Sequence, residues 1–320
     1  MGSKQLVRPP RLALGSRIAL VAPAGPLLEG DDLARAEALC RALDYEPVRG
    51  PHAGGHYGYF SGTDDERLAD LNDAFRDPAI DAVWCVRGGY GVTRILDGID
   101  FEALARKPRA VIGYSDITAL LAGVTRRAGL VAFHAPSART EMPAFSRQHF
   151  SAVLTSASPA GMLEPLPPRP DVLVPHENRI VTIRGGTAEG PLAGGNLTLL
   201  QCLIGSAYFP DLDGALLFLE DVNEDLYRID RMLAQLRMIG ALARLRGVLV
   251  GRFTGLRRQM SDGAMGVDDV LAHYLRPLGV PAAYNLPIGH IDAQWTMPLG
   301  VRARFDADAG SVELLEPAVC

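Results

Sequence analysis

The stretch "AVIGYSDITALLAGVTRRAG", residues 110–129, decides how the rest of the chain is read. Ala110 to Gly113 form a short apolar run that suits a buried strand. Ile117, Leu120, Leu121 and Val124 then mark one face of a helix that ends at Gly129. Ser115 stands on the corner between them, and that position has two readings. It caps the helix, which serine does well. Alternatively it is a nucleophile, because reactive groups of α/β sheets gather at the carboxyl ends of strands. The helix N-terminus also favours a developing oxyanion. The local pattern is an incomplete G-x-S-x-G, with Ile117 where the second glycine would stand. A base, an orienting acid and oxyanion donors elsewhere in the chain must decide.

On either side of this stretch the same alternation continues. "RIALVAPA" (17–24), "DAVWCVRGG" (81–89) and "LVAFHAP" (130–136) read as buried strands. Residues 31–44 and 64–77 have helical spacing, and Thr63 with Glu66 forms a capping box ahead of the second. Apolar strands alternating with amphipathic helices predict a parallel sheet covered on both faces. Prolines 159, 165, 167, 168, 170 and 175 then interrupt the pattern. The expected organisation is therefore an α/β domain over 1–157, a Pro-rich linker over 158–177 and a second domain over 178–320. The second domain reads as α+β with a mixed sheet: strands at 215–220 and 247–253, helices at 225–242 and 267–275, and a hairpin over 301–317.

Composition narrows the class. The chain has 320 residues and a net charge of −5 with both signs interspersed, which argues against a nucleic-acid partner. Cys40, Cys85, Cys202 and Cys320 make no CxxC pair, so neither a disulfide framework nor a zinc ribbon is expected. No apolar run approaches the ~18–20 residues of a membrane span. "IALVAPAG" reads as a first strand rather than a signal peptide, and the expected location is cytoplasmic.

Several other residues carry chemistry. "VRGGYG" (86–91) ends a strand, and Gly88 or Gly89 can supply an oxyanion N–H beside that of Asp116. It is no dinucleotide fingerprint. Among seven histidines, His52 and His56 lie in a glycine-rich loop as a weak metal pair. His149, His176 and His273 read as surface residues. His134 ends a strand near the Ser115 edge, and His290 sits in a Pro/Gly-framed loop suited to a fixed base. Glu220 closes an apolar strand, where a carboxylate can hold an imidazole in one tautomer. Asp221 and Glu224 compete for that role, although a solvated loop suits them better.

Together these segments resemble the LD-carboxypeptidase family of serine peptidases, which includes murein tetrapeptide carboxypeptidases and microcin C immunity peptidases. The matching motifs are "APAGP" (22–26), "VRGGYGVTRIL" (86–96), "IGYSDITAL" (112–120), "FHAP" (133–136), "EGPLAGGNLTLL" (189–200), "LFLEDVNEDLYRIDRML" (217–233) and "LPIGHIDAQWTMPLGV" (286–301). They span nearly the whole chain in order. The resemblance implies Ser115 as nucleophile, Glu220 as the orienting acid and His290 as the base. It implies a Rossmann-like N-terminal domain and a smaller β-rich C-terminal one, with the site at their junction, in a cytoplasmic homodimer. Neither a metal nor an organic cofactor is implied. Ala135 departs from the family's "HGP", which puts only a local turn in question.

The implied reaction is release of C-terminal D-alanine from an L-centre of murein tetrapeptide, in peptidoglycan recycling. Arg87 and Arg94 are candidates for the free carboxylate. The alternatives are an aminoacyl-nucleotide hydrolase of the microcin type, an esterase, or a non-catalytic small-molecule binding protein. For the microcin branch the resemblance implies an aromatic residue, on a loop before "GGN", that stacks on the adenine. Residues 157–196 here contain no Trp, Tyr or Phe, which favours the murein reading. Trp295, in the His290 loop, is the residue that could replace it, although packing at the domain junction is its expected role.

Overall fold

The computed structural model describes residues 5–167, 178–257, 263 and 265–320. Its first sheet is built from β1 (Arg17–Val21), β2 (Glu46–Arg49), β3 (Ala82–Cys85), β4 (Ala110–Gly113) and β5 (Ala132–His134). These five strands are parallel. The apolar runs of β1, β3, β4 and β5 predict this, whereas β2, an edge strand with exposed Glu46 and Arg49, carries no such run and does not show in the sequence. The second sheet holds β6 (Gly161–Leu163), β7 (Val181–Arg184), β8 (Thr187–Asn196), β9 (Leu216–Val222), β10 (Gly247–Thr254) and β11 (Ala282–Tyr284). After β12 (Met297–Leu299), the hairpin of β13 (Arg302–Asp306) and β14 (Ser311–Leu314) completes it. Its order is β6-β14-β13-β8-β9-β10-β11-β7, with β8 to β11 parallel and the flanking strands antiparallel.

Two strands cross the boundary that the sequence suggests. β12, from the second half, adds antiparallel to β5 and completes the order β12-β5-β4-β3-β1-β2. β6 falls inside the expected linker yet pairs with β14. Three-residue strands carry no periodic pattern, so neither shows in the sequence. Residues 168–177 of that linker, His176 among them, lie outside the described residues.

Helices cover both sheets: α1 (Asp32–Ala42), α2 (Asp64–Arg76), α3 (Val92–Ile95), α4 (Phe101–Arg106), α5 (Thr118–Gly123), α6 (Ala144–Leu154), α7 (Leu197–Leu203), α8 (Leu226–Met238) and α9 (Val267–Leu275). The Thr63–Glu66 capping box is formed in both directions. The turn after α5 stops at Gly129, whose φ of 69° is the left-handed conformation that ends a helix. β9 shows how the second sheet is buried on both faces. Leu216 and Phe218 point into a core shared with the first sheet, while Leu217 and Leu219 point into a separate core with Leu233 and Leu236 of α8 and Leu271 of α9.

Candidate active site

β4 delivers Ser115 at the carboxyl edge of the first sheet. The residue has φ 65°, in the left-handed region that non-glycine residues rarely occupy. Ser115 does not cap the helix: the capping position is Tyr114, with no side-chain cap bond, and the Ser115 hydroxyl faces His290. Gly113 makes the corner possible. A Cβ there would stand 2.9 Å from Cγ2 of Ile117, so the single glycine makes room for the isoleucine two residues past the serine.

His290 arrives 175 residues later, with Nε2 3.0 Å from Ser115 Oγ. Its Nδ1 lies 2.7 Å from Oε2 of Glu220, whose side chain is fully buried on β9, which continues two residues past it to Val222. Gly289 permits that approach. It has φ 113°, and a Cβ on it would stand 2.7 Å from Glu220 Oε2. Serine, imidazole and carboxylate thus form one hydrogen-bonded line drawn from both sheets.

A buried joint sets the register between those sheets. The Asn196 backbone N–H donates to Oγ1 of Thr118, three residues past Ser115, at 3.1 Å. Asn196 Nδ2 donates to Asp221, next to Glu220, at 3.0 Å. Asp221 also accepts from both N–H and O–H of Thr198 and from the Val222 N–H. The solvated-loop reading of Asp221 is therefore wrong: it is 3% exposed, and burial, helped by the Glu220 charge, pushes its carboxyl up to about 6. Burial made these contacts invisible to sequence reasoning, although the "GGN" motif marks the place.

Gly88 and Asp116 meet at the serine. A Cβ on Gly88 would lie 2.7 Å from Ser115 Cβ and 3.3 Å from the Asp116 nitrogen. Gly89 faces away, toward Gly25, and is exposed. The Asp116 carboxylate is buried, which raises its pKa, and it accepts the Val92 N–H at 2.9 Å, holding the "GGYG" loop against the serine turn. Arg67, itself buried, ties the carbonyls of Pro23 and Gly91 together from below.

The remaining histidines are elsewhere or otherwise engaged. His134 pairs in register with Gly113 but is fully buried, and neither ring nitrogen has a hydrogen-bond partner among the described residues. Burial pushes it down to about 4. Tyr114 lies between the two rings, its centroid 4.9 Å from His290 and 6.0 Å from His134. Burial, with Glu220 adding to it, pushes the Tyr114 phenol up to about 12. His149 is buried rather than on the surface, its Nδ1 2.9 Å from the Phe145 carbonyl. His273 is exposed, as expected. His52 has a carboxylate partner, Asp70 at 2.8 Å, and with exposed His56 it lines a cavity of about 400 Å³ apart from Ser115. Among the described residues no three His, Cys, Asp or Glu side chains cluster to hold a metal. Ala135 is accommodated in its turn without a positive φ.

Models of the LD-carboxypeptidase N-terminal domain and C-terminal domain match residues 18–135 and 189–305. A carboxypeptidase-named protein of Streptomyces coelicolor is 40% identical, the match covering 99% of both chains. The murein tetrapeptide carboxypeptidase of Pseudomonas aeruginosa is 35% identical, covering 92% of this chain and 94% of its own. The microcin C7 self-immunity protein, solved in complex with glutamyl sulfamoyl guanosine, shares the fold with a TM-score of 0.88. It is 24% identical over 98% of this chain and 99% of that one. The two matched domains, and relatives of this identity along nearly the full length, make the chain a member of the LD-carboxypeptidase family.

Proposed function

We propose that this protein is a serine carboxypeptidase that releases C-terminal D-alanine from murein tetrapeptide, with Ser115, His290 and Glu220 as its catalytic unit. The observation that carries the reading is the continuous line from Ser115 Oγ through His290 to buried Glu220. Glu220 accepts a hydrogen bond from the Nδ1–H of His290 and so leaves the Nε2 lone pair directed at the serine hydroxyl. His290 takes the hydroxyl proton as Ser115 attacks the scissile carbonyl, and Glu220 stabilises the imidazolium. The N–H groups of Asp116 and of the Gly88–Gly89 pair hold the oxyanion, Gly88 being the nearer of the two glycines to the serine. His290 then protonates the departing amine of D-alanine, and water releases the acyl group by the reverse sequence. Each step uses groups of this chain and water.

The murein branch is favoured over the nucleotide branch by the state of the tryptophans. Trp295 is fully buried and donates its indole N–H to the Glu164 carbonyl at 2.8 Å. Trp84 is equally buried, stacked on Phe150 at 4.9 Å, with its N–H on the Pro136 carbonyl. Neither offers a free face to a base. In this reading the protein works in peptidoglycan recycling, as a cytoplasmic homodimer. Among the described residues no helix is long and apolar enough to cross a membrane.

Mass spectrometry of murein tetrapeptide after incubation tests the proposal. Loss of one D-alanine is expected with the native protein and not with Ser115→Ala. An intact tetrapeptide, or equal loss with both, overturns it.

A further inference from the structure

An exopeptidase must recognise a free terminus. Arg94 is a poor candidate for that task, since it is held by Asp64 through Nε at 3.1 Å and Nη2 at 2.8 Å, over the Phe60 ring. Arg87 differs. It adjoins Gly88, donates Nη1 to the Pro26 carbonyl and, among the described residues, has no carboxylate at ion-pair distance. A second guanidinium joins it from a segment the sequence did not single out. The Ala138 N–H donates to the carbonyl of Cys85, the last residue of β3, at 3.1 Å. That bond brings Arg139 to the same strand end as Arg87, beside the strand that presents Ser115.

The two cations are poorly neutralised. The carboxylate facing Arg139 is Asp32, 3.4 Å away, already occupied by Arg35 at 2.6 Å and by the N–H groups of Leu28 and Glu29. Arg139 Nε is buried and has no hydrogen-bond partner among the described residues. Burial, and then the charge of Arg139, depresses the pKa of Arg87, while Arg139 is felt as far as Tyr114, the residue before the serine. Among the described residues Arg87 has no ion-pair partner and Arg139 has only the saturated Asp32, which leaves a positive edge on the strand end next to the one that presents the nucleophile.

We propose that Arg87 and Arg139 together form the subsite for the free terminal carboxylate of the substrate, and so make the enzyme an exopeptidase. This deepens the carboxypeptidase reading and rests on it. The substrate's diaminopimelate side chain carries a second carboxylate, so the test must separate the two. Steady-state kinetics are measured on the tetrapeptide, on its C-terminal amide and on the form amidated at the diaminopimelate side chain.

The native protein should prefer the free terminal acid over the terminal amide by roughly 10- to 100-fold in kcat/KM, the size of a charge-assisted hydrogen-bond pair. Arg139→Gln and Arg87→Gln should each lose most of that preference through KM, with little change on the terminal amide. Lysine at either site should restore part of it. Equal losses on acid and terminal amide overturn the proposal, as does a preference that follows side-chain amidation. Binding of the same three peptides to Ser115→Ala, by calorimetry, keeps the inference separate from the reaction. Acid-selective binding that Arg139→Gln abolishes, without turnover by the native protein, would refute the murein reaction and leave the carboxylate subsite standing. Turnover without acid-selective binding would do the reverse.

Discussion

Gly88 and Ser115 are packed so closely that a single methyl group at position 88 would stand 2.7 Å from the serine Cβ and 2.9 Å from its Oγ. The loop after β3 therefore acts as a wall against which the serine is set. Gly88→Ala should push the serine or the loop by a fraction of an ångström. A misplacement of about 1 Å costs about 10²-fold in rate, so this smaller shift should lower kcat by roughly tenfold or more while thermal unfolding shifts little. Native turnover by a folded Gly88→Ala protein would show that the contact does not set the hydroxyl.

The 3.0 Å and 2.7 Å contacts of His290 predict non-additive losses. Ser115→Ala and His290→Ala should each reduce kcat by on the order of 10⁴ or more, and the double variant should fall little further, the behaviour of residues that act as one unit. Glu220→Ala should cost somewhat less. Single losses that multiply in the double variant would mean that serine and histidine work independently.

His134 predicts a pH dependence of stability. Its folded pKa is pushed down to about 4 from an ordinary 6.5, so the unfolded chain binds more protons between those values. Stability is thus fully present above about pH 6.5 and is lost as pH falls toward 4. His134→Leu, close in volume and unable to titrate, should be near-neutral at pH 7.5. At pH 4.5 it should be more stable than the native protein by about 2–3 kcal/mol. Urea unfolding of both proteins at the two pH values measures this, and the comparison removes other titrating groups such as Asp221. A difference that does not change with pH would mean that His134 titrates in the fold as it does in the unfolded chain.

Burial of Trp295 predicts that specificity does not depend on its ring face. Native protein should turn over murein tetrapeptide well ahead of an aminoacyl-sulfamoyl adenosine, and Trp295→Phe should leave the ratio of specificity constants within about threefold. Base stacking on an aromatic is worth ~1–3 kcal/mol. A native preference for the nucleotide that is lost in Trp295→Phe would therefore place this chain in the nucleotide branch.

Much of the layout was determined by the sequence alone. The parallel sheet followed from apolar runs broken by helical spacing, and β4 and α9 begin and end where their patterns do. The Thr63 cap, the Gly129 stop and the terminal hairpin needed only neighbouring residues. Ser115, Glu220 and His290 were legible as three separate motifs, and the family resemblance joined them. Their hydrogen bonds, however, depend on pairings across 70 and 175 residues, which no local period encodes.

The tertiary structure decided the rest. It placed β12 in the first sheet, buried Asp221 and His149, and brought Arg139 to the end of β3. It also turned Ser115 away from capping and into a left-handed corner facing His290. Periodicity reports which face of an element is buried, because side chains three to four apart in a helix, or two apart in a strand, share a side. It is silent on which distant element covers that face. A polar residue buried by such a partner looks, in the sequence, the same as one in water.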